Sequence, residues 1–144
     1  MTLYLADKSA YEQQRYSTEA DVTMTALVRE SQLATCDVVA LELLYSTRGP
    51  ADYAIRERGL RTLAWLPMGA EVGRVALDIQ RKLVRKGQHR RPIMDLMIAA
   101  TALVHDAVVL HYDRDFDLIA AETGQPSLWI VPRGTGHGAA QPIV

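Results

Sequence analysis

Residues 92–104, Pro-Ile-Met-Asp-Leu-Met-Ile-Ala-Ala-Thr-Ala-Leu-Val, read as a helix that is apolar on almost every side and carries one carboxylate, Asp95. Pro92 suits a first helical position, where a missing N–H goes unused. A helix greasy all round is a buried helix. Ile98 and Ala99 flank Asp95 at helical spacing, so the acid cannot simply turn to water. Buried acids are protonated, hydrogen-bonded or faced by a cation. The plainest account places Asp95 in the first turn, where free N–H groups and the helix dipole stabilise it. That account is local, and the chain repeats the anomaly elsewhere.

Asp7 ends the short apolar run 3–6, where it either caps a following helix or faces a ligand. In open parallel sheets ligands bind at the carboxyl ends of strands. Glu42 sits mid-helix in Val38-Val39-Ala40-Leu41-Glu42-Leu43-Leu44-Tyr45, with Val38, Val39, Tyr45 and Ser46 as helical neighbours. Capping does not explain a mid-helix acid, and an unpaired buried charge is expensive. Asp113, Asp115 and Asp117 follow the apolar run 107–110. Some of these are ordinary helix-start acids. Either Asp113 or Asp115 can share a cleft with Asp7, and spacing does not choose between them.

Two carboxylates about 5 Å apart repel by about 3 kcal/mol at an effective dielectric near 20. Four converging acids therefore need a neutralising partner. An all-oxygen set without His or Cys suits a hard ion, Mg²⁺ or Mn²⁺, and such an ion suits phosphodiester cleavage.

The rest of the chain alternates helical and strand patterns, which points to one α/β domain. Strands are expected over 3–6, 33–36, 107–110 and 127–131, with a further short one within 63–66. A helix from 17 onward buries Ala20, Met24, Leu27, Val28 and Ser31, following a polar stretch that runs through Tyr16. Helices follow over 38–46 and 51–58. Val72, Val75, Ala76, Ile79 and Leu83 then give a clean amphipathic period. The formal net charge is −1, so any polyanion must be gripped by a local patch. The run 81–91 is such a patch, and Arg85, Lys86, Arg90 and Arg91 are its RNA-binding candidates; an ordinary solvated face is the alternative. One cysteine, Cys36, excludes an internal disulfide and a thiolate-rich metal site. No run reaches membrane-spanning length and the first residues lack a signal-peptide pattern, so the expected setting is cytoplasmic.

Asp7-Lys8-Ser9 after a strand, helical Glu42, Asp95 within Pro92–Ala100, and His111-Tyr112-Asp113-Arg114-Asp115-Phe116 together resemble the PIN-domain nucleases. The short single domain is similar to the VapC toxins of toxin–antitoxin pairs. The resemblance implies a short central parallel sheet with helices on both faces, over 1–132, followed by a flexible tail, 133–144. It implies a Mg²⁺- or Mn²⁺-dependent endoribonuclease acting on transfer or ribosomal RNA. It also implies a homodimer and a VapB-like antitoxin. Asp7 and Asp95 then stand as principal metal ligands, Glu42 and Asp113 complete the catalytic set, Asp115 is the fallback, and Ser9 supports Asp7. His111 stands where the family often has a small hydroxyl residue. The rival reading is a silent binding module whose acidic pocket holds a basic peptide. A phospho-receiver domain is excluded, because the last strand lacks the lysine it needs.

Overall fold

The computed structural model describes residues 1–137. Five strands form one parallel sheet: β1 (Tyr4–Ala6), β2 (Leu33–Thr35), β3 (Ala64–Trp65), β4 (Val108–His111) and β5 (Ser127–Trp129), in spatial order β3-β2-β1-β4-β5. The chain builds outward from β1 on one side and then returns to β1's other edge. The crevice between the carboxyl ends of β1 and β4 is therefore the topological switch point. Seven helices lie among the strands in the described residues: α1 (Lys8–Tyr16), α2 (Thr18–Arg29), α3 (Asp37–Tyr45), α4 (Pro50–Leu60), α5 (Ala70–Val84), α6 (Ile93–Val104) and α7 (Asp115–Thr123).

The strands are short, and both faces of the sheet are covered. Side chains alternate across a sheet. Leu5 and Val109 turn to one face, where α5, α6 and α7 supply Ile79, Leu83, Ile98, Ala99, Phe116 and Ile119. Ala6 and Leu110 turn to the other, onto Ala10, Ala20 and Met24 of α1 and α2. This is the fold class expected from the sequence. The helix α6 lies in the first of these layers, and seven of its twelve residues are buried, Asp95 among them.

Four local expectations need correction. The polar stretch after Asp7 is a helix, α1, with Asp7 as its cap and only Ala10 and Gln13 buried. A helix that shows so little apolar surface gives no readable period. Pro92 is the cap of α6 and keeps an extended ψ of 133°, one residue before the helix proper. On α2, Ala20 and Met24 are buried, but Val28 is exposed on a groove rim and Ser31 is an exposed turn residue with φ of 57°. Part of the expected tail, up to His137, packs on the domain through the bonds described below; residues 138–144 lie outside the described residues.

Because α6 carries Asp95, its anchoring apolar residues set where the acid stands. Ile98→Ala should cost about 3 kcal/mol, within the range for buried truncations. Ile93→Ala, at a position 71% exposed, should cost under about 0.5 kcal/mol. Urea unfolding of the two variants measures the difference.

Candidate metal centre

The acids converge at the β1–β4 crevice. Asp7 leaves the end of β1, and its N–H donates to Leu110 O of β4 at 2.9 Å. Its Oδ2 accepts from Ser9 N at 3.0 Å and Ser9 Oγ at 2.7 Å, an N-terminal cap with a second donor. Both bonds end on one oxygen, which leaves Oδ1 for a further partner. Ser9 Oγ also accepts the Tyr112 N–H at 2.8 Å, tying the two strand ends together.

Asp95 enters from the first turn of α6, is 7% exposed, and has a buried Oδ2 with no partner. Asp113 follows β4, and its Oδ1 accepts the Asp115 N–H at 2.9 Å. Asp115 opens α7, and Arg91 Nη1 donates to its Oδ1 at 2.7 Å. Among the described residues, Asp95, Asp113 and Asp115 each present an oxygen within 4.8 Å of the others. At that spacing each ionised pair repels by about 3 kcal/mol at an effective dielectric near 20.

The protonation equilibria record this crowding. Burial, then the charges of Asp7, Asp113 and Asp115, push the Asp95 carboxyl up to about 8. Burial raises Asp113 as well, and the neighbouring acids add to it against the bond from Asp115 N–H. Glu42 projects from α3 with a buried Oε1 that lacks a partner. Burial and then the Asp7 charge raise it, while Lys8 pulls it down. Asp7 is thus felt by both Glu42 and Asp95, although it stands outside the tightest group.

Spacing left Asp113 and Asp115 as alternatives; the fold brings both to Asp95. Asp117 turns away and accepts from Trp129 Nε1 at 3.1 Å. The basic run divides in two. Arg91 points into the acids, and Lys86 pairs with Glu122 at 2.9 Å, while Arg85 and Arg90 are exposed.

His111 is a supporting residue that the sequence marked only as unusual. It is fully buried between Phe116 and Trp129. Its Nδ1 accepts the Asp113 N–H at 3.1 Å, which assigns the ring proton to Nε2. Burial holds its pKa down at about 4, so the ring is neutral at physiological pH. With Nδ1 occupied, the imidazole has no lone pair to give an ion. The donor set is all oxygen, and it contains an orphaned buried carboxylate oxygen. These residues fit a hard divalent cation.

Comparison with known proteins shows the family. The PIN domain family matches residues 11–122. Ribonuclease VapC18 of Mycobacterium tuberculosis is 45% identical over 113 residues, covering 76% of this chain and 82% of its own length. The chain belongs to the VapC group of PIN-domain proteins. Ribonuclease VapC21 of the same organism is 38% identical over 136 residues, 93% of this chain and 98% of that protein. Among solved structures, DNA-bound VapBC from Salmonella typhimurium matches with a TM-score of 0.74 at 19% identity, over 91% of this chain and all of that one. VapBC-5 from Mycobacterium tuberculosis matches with a TM-score of 0.58 at 24% identity, over 90% of this chain and 98% of that one. At these identities the structural likeness shows the fold.

The raised carboxyl of Asp95 carries a stability consequence. Between the ordinary value of 3.8 and about 8, the folded protein keeps a proton that the unfolded chain has released. Stability from this group is therefore full below the lower value and lost as pH rises toward the upper one. Without divalent ions, the melting temperature of the wild type relative to Asp95→Asn should fall between about pH 5 and about pH 8. Parallel pH profiles for the two proteins would contradict it.

Proposed function

We propose that this VapC-group protein is a Mg²⁺- or Mn²⁺-dependent endoribonuclease, the toxin of a VapBC-type pair acting in the cytoplasm. The observation that carries the metal dependence is the partnerless Oδ2 of Asp95 inside a cluster of acids. Asp7 and Asp95 are the principal ligands. Asp113 and Asp115 close the cluster, with Asp115 shared with Arg91. When bound, the ion lowers the pKa of a coordinated water and stabilises the leaving oxygen of a phosphodiester.

The protein's own residues do the rest. Ser9 holds Asp7 in one rotamer through two donors to the same oxygen. His111 and the Asp115 N–H fix Asp113 from both ends. Glu42, whose carboxyl is raised by burial and then by the Asp7 charge, is the residue assigned to orient the attacking water and accept its proton. Arg85, at the end of α5, and Arg90, on the loop that leads into α6, are exposed and are the residues assigned to meet backbone phosphates. The substrate is a structured RNA, transfer or ribosomal, which the family likeness supports.

The partner reading rests on a second feature. A groove of about 600 Å³ runs between α1, α2 and α4, lined by Tyr11, Met24, Val28, Leu33, Leu60 and Leu63. Relatives of this fold are found as VapBC complexes. An apolar segment of the antitoxin is the occupant proposed for this groove. The homodimer is proposed on the exposed apolar residues beside Glu42, where Tyr45 is 90% and Leu41 63% exposed.

Purified protein incubated with transfer RNA and ribosomal RNA should cleave with Mg²⁺ or Mn²⁺ and not with chelator. Asp95→Asn and Asp7→Asn should each lower the rate more than about 100-fold, beyond the 10–100-fold that outer partners of metal ligands reach. Equal cleavage in every lane would leave the acids as a pocket for a basic peptide. Leu63→Asp, which puts a charge in the groove, should abolish co-purification with the antitoxin while thermal unfolding stays cooperative.

A further inference from the structure

The Gly-rich stretch after β5 is docked rather than loose as far as it is described. Tyr112 Oη accepts from Gly134 N at 2.9 Å and Gly136 N at 3.0 Å. Gln13 makes a two-way pair with one residue: its Nε2 donates to His137 O at 3.1 Å, and its Oε1 accepts from His137 N at 2.7 Å. The His137 ring stacks on Tyr16 with centroids 3.7 Å apart and planes 18° apart. Gln13 is 5% exposed, unusual burial for a glutamine, and the strap satisfies its amide at both ends. Gly136 leaves no room for a side chain. A Cβ there would collide with Gln13 Oε1 and lie 2.9 Å from Tyr112 Cζ.

Both anchors of this strap lead to the metal centre. Gln13 lies on α1 one turn after Ser9, and α1 starts at the Asp7 cap. Tyr112 precedes Asp113, and its N–H donates to Ser9 Oγ, which in turn donates to Asp7 Oδ2. The bonded path therefore runs from Gly134 and Gly136 through Tyr112 and Ser9 to Asp7. The second contact, at Gln13, holds the same helix by a residue of its buried face. Nothing in the strap touches the crevice itself, so its effect can only be on the placing of the ligands.

We propose that Gly134–His137 is a positioning strap for the metal centre: by bridging Gln13 of α1 and Tyr112 after β4, it sets the separation between Asp7 and Asp113 across the β1–β4 crevice. The proposal rests on the metal reading above. Tyr112 and Gln13 are positioning residues, because neither reaches the acids directly.

The test uses the full chain with Mn²⁺ as the probe. Mn²⁺ binding is measured by calorimetry, and the Mn²⁺ dependence of RNA cleavage is measured separately. Tyr112→Phe removes only the hydroxyl that accepts the two glycine N–H groups. Gly136→Val displaces the strap outright. Ile79→Ala, in the core on the opposite face of the sheet, controls for general loss of stability. Both strap variants should weaken Mn²⁺ binding about 10- to 100-fold, the scale of second-sphere changes. The Mn²⁺ concentration for half-maximal cleavage should rise in parallel, with kcat at saturating Mn²⁺ changed much less. Ile79→Ala should lower the melting temperature and leave Mn²⁺ affinity alone. Wild-type affinity in Tyr112→Phe and Gly136→Val, or an equal loss in Ile79→Ala, overturns the strap. A wild type that takes up no Mn²⁺ overturns the metal reading and the strap's role with it.

Discussion

Mutual repulsion among acids confined to one poorly solvated crevice is the constraint the fold must answer. The acids come from five different elements or their junctions, and none can retreat. Asp7 is pinned because its own N–H completes the pairing of β1 with β4. Asp113 is pinned by bonds at both ends of its residue. Asp95 is pinned because the helix bearing it is buried on nearly all sides. The opposing energy is the apolar core beneath, in which Ile98, Ala99, Phe116 and Ile119 pack on Leu5 and Val109. Removing such surface from water is worth roughly 1.5–3 kcal/mol per large side chain. A few of these residues outweigh each repulsive pair, so the strained arrangement persists as part of a stable whole.

The acids are not equivalent. Asp7 has two donors on one oxygen, while Asp95 has an oxygen with none. The difference follows from their elements. A helix cap sits among free N–H groups, and Ser9 adds a hydroxyl. Asp95, in the first turn of an apolar helix, has greasy residues and other acids around it, and no donor reaches its Oδ2. Three kinds of positive charge can relieve Asp95: a proton, a guanidinium, or an ion. The proton accounts for the elevated carboxyl at neutral pH. The guanidinium of Arg91 is committed to Asp115. An ion of the proposed kind would relieve several carboxylates at once.

What the sequence shows and hides follows from this division. The greasy helix with its lone acid, the mid-helix Glu42 and the acid-rich segment after β4 are legible because each breaks a local rule of polarity. The period of α5 is legible because a single face is buried, with Val72, Ala76, Ile79 and Leu83 in step. The helix α1 is hidden because its buried face has just Ala10 and Gln13, one of them polar. Pro92 is displaced by one residue because caps and first helical positions look alike in sequence. The choice between Asp113 and Asp115 is hidden because both face the acids, and only the fold shows Arg91 attached to the second. The strap is hidden because a Gly-rich end reads as a tail, and its partners Gln13 and Tyr112 are distant in sequence.

The inward turn of Arg91 changes how the basic run must be understood. Arg91 is bound at Nε to Gln88 O at 3.2 Å and at Nη1 to Asp115. It therefore fastens the segment before α6 to the acidic crevice. Lys86 is fastened as well, to Glu122 of α7, so the segment that carries the exposed Arg85 and Arg90 is held at two points. A run of charges read as a uniform patch is thus two devices: residues that balance acids, Arg81 and Lys82 on Asp78, Lys86 on Glu122 and Arg91 on Asp115, and the exposed Arg85 and Arg90 between them. Charge complementarity inside the protein sets where charge complementarity to a polyanion can be offered, because the fastening residue and the exposed ones share a single short segment.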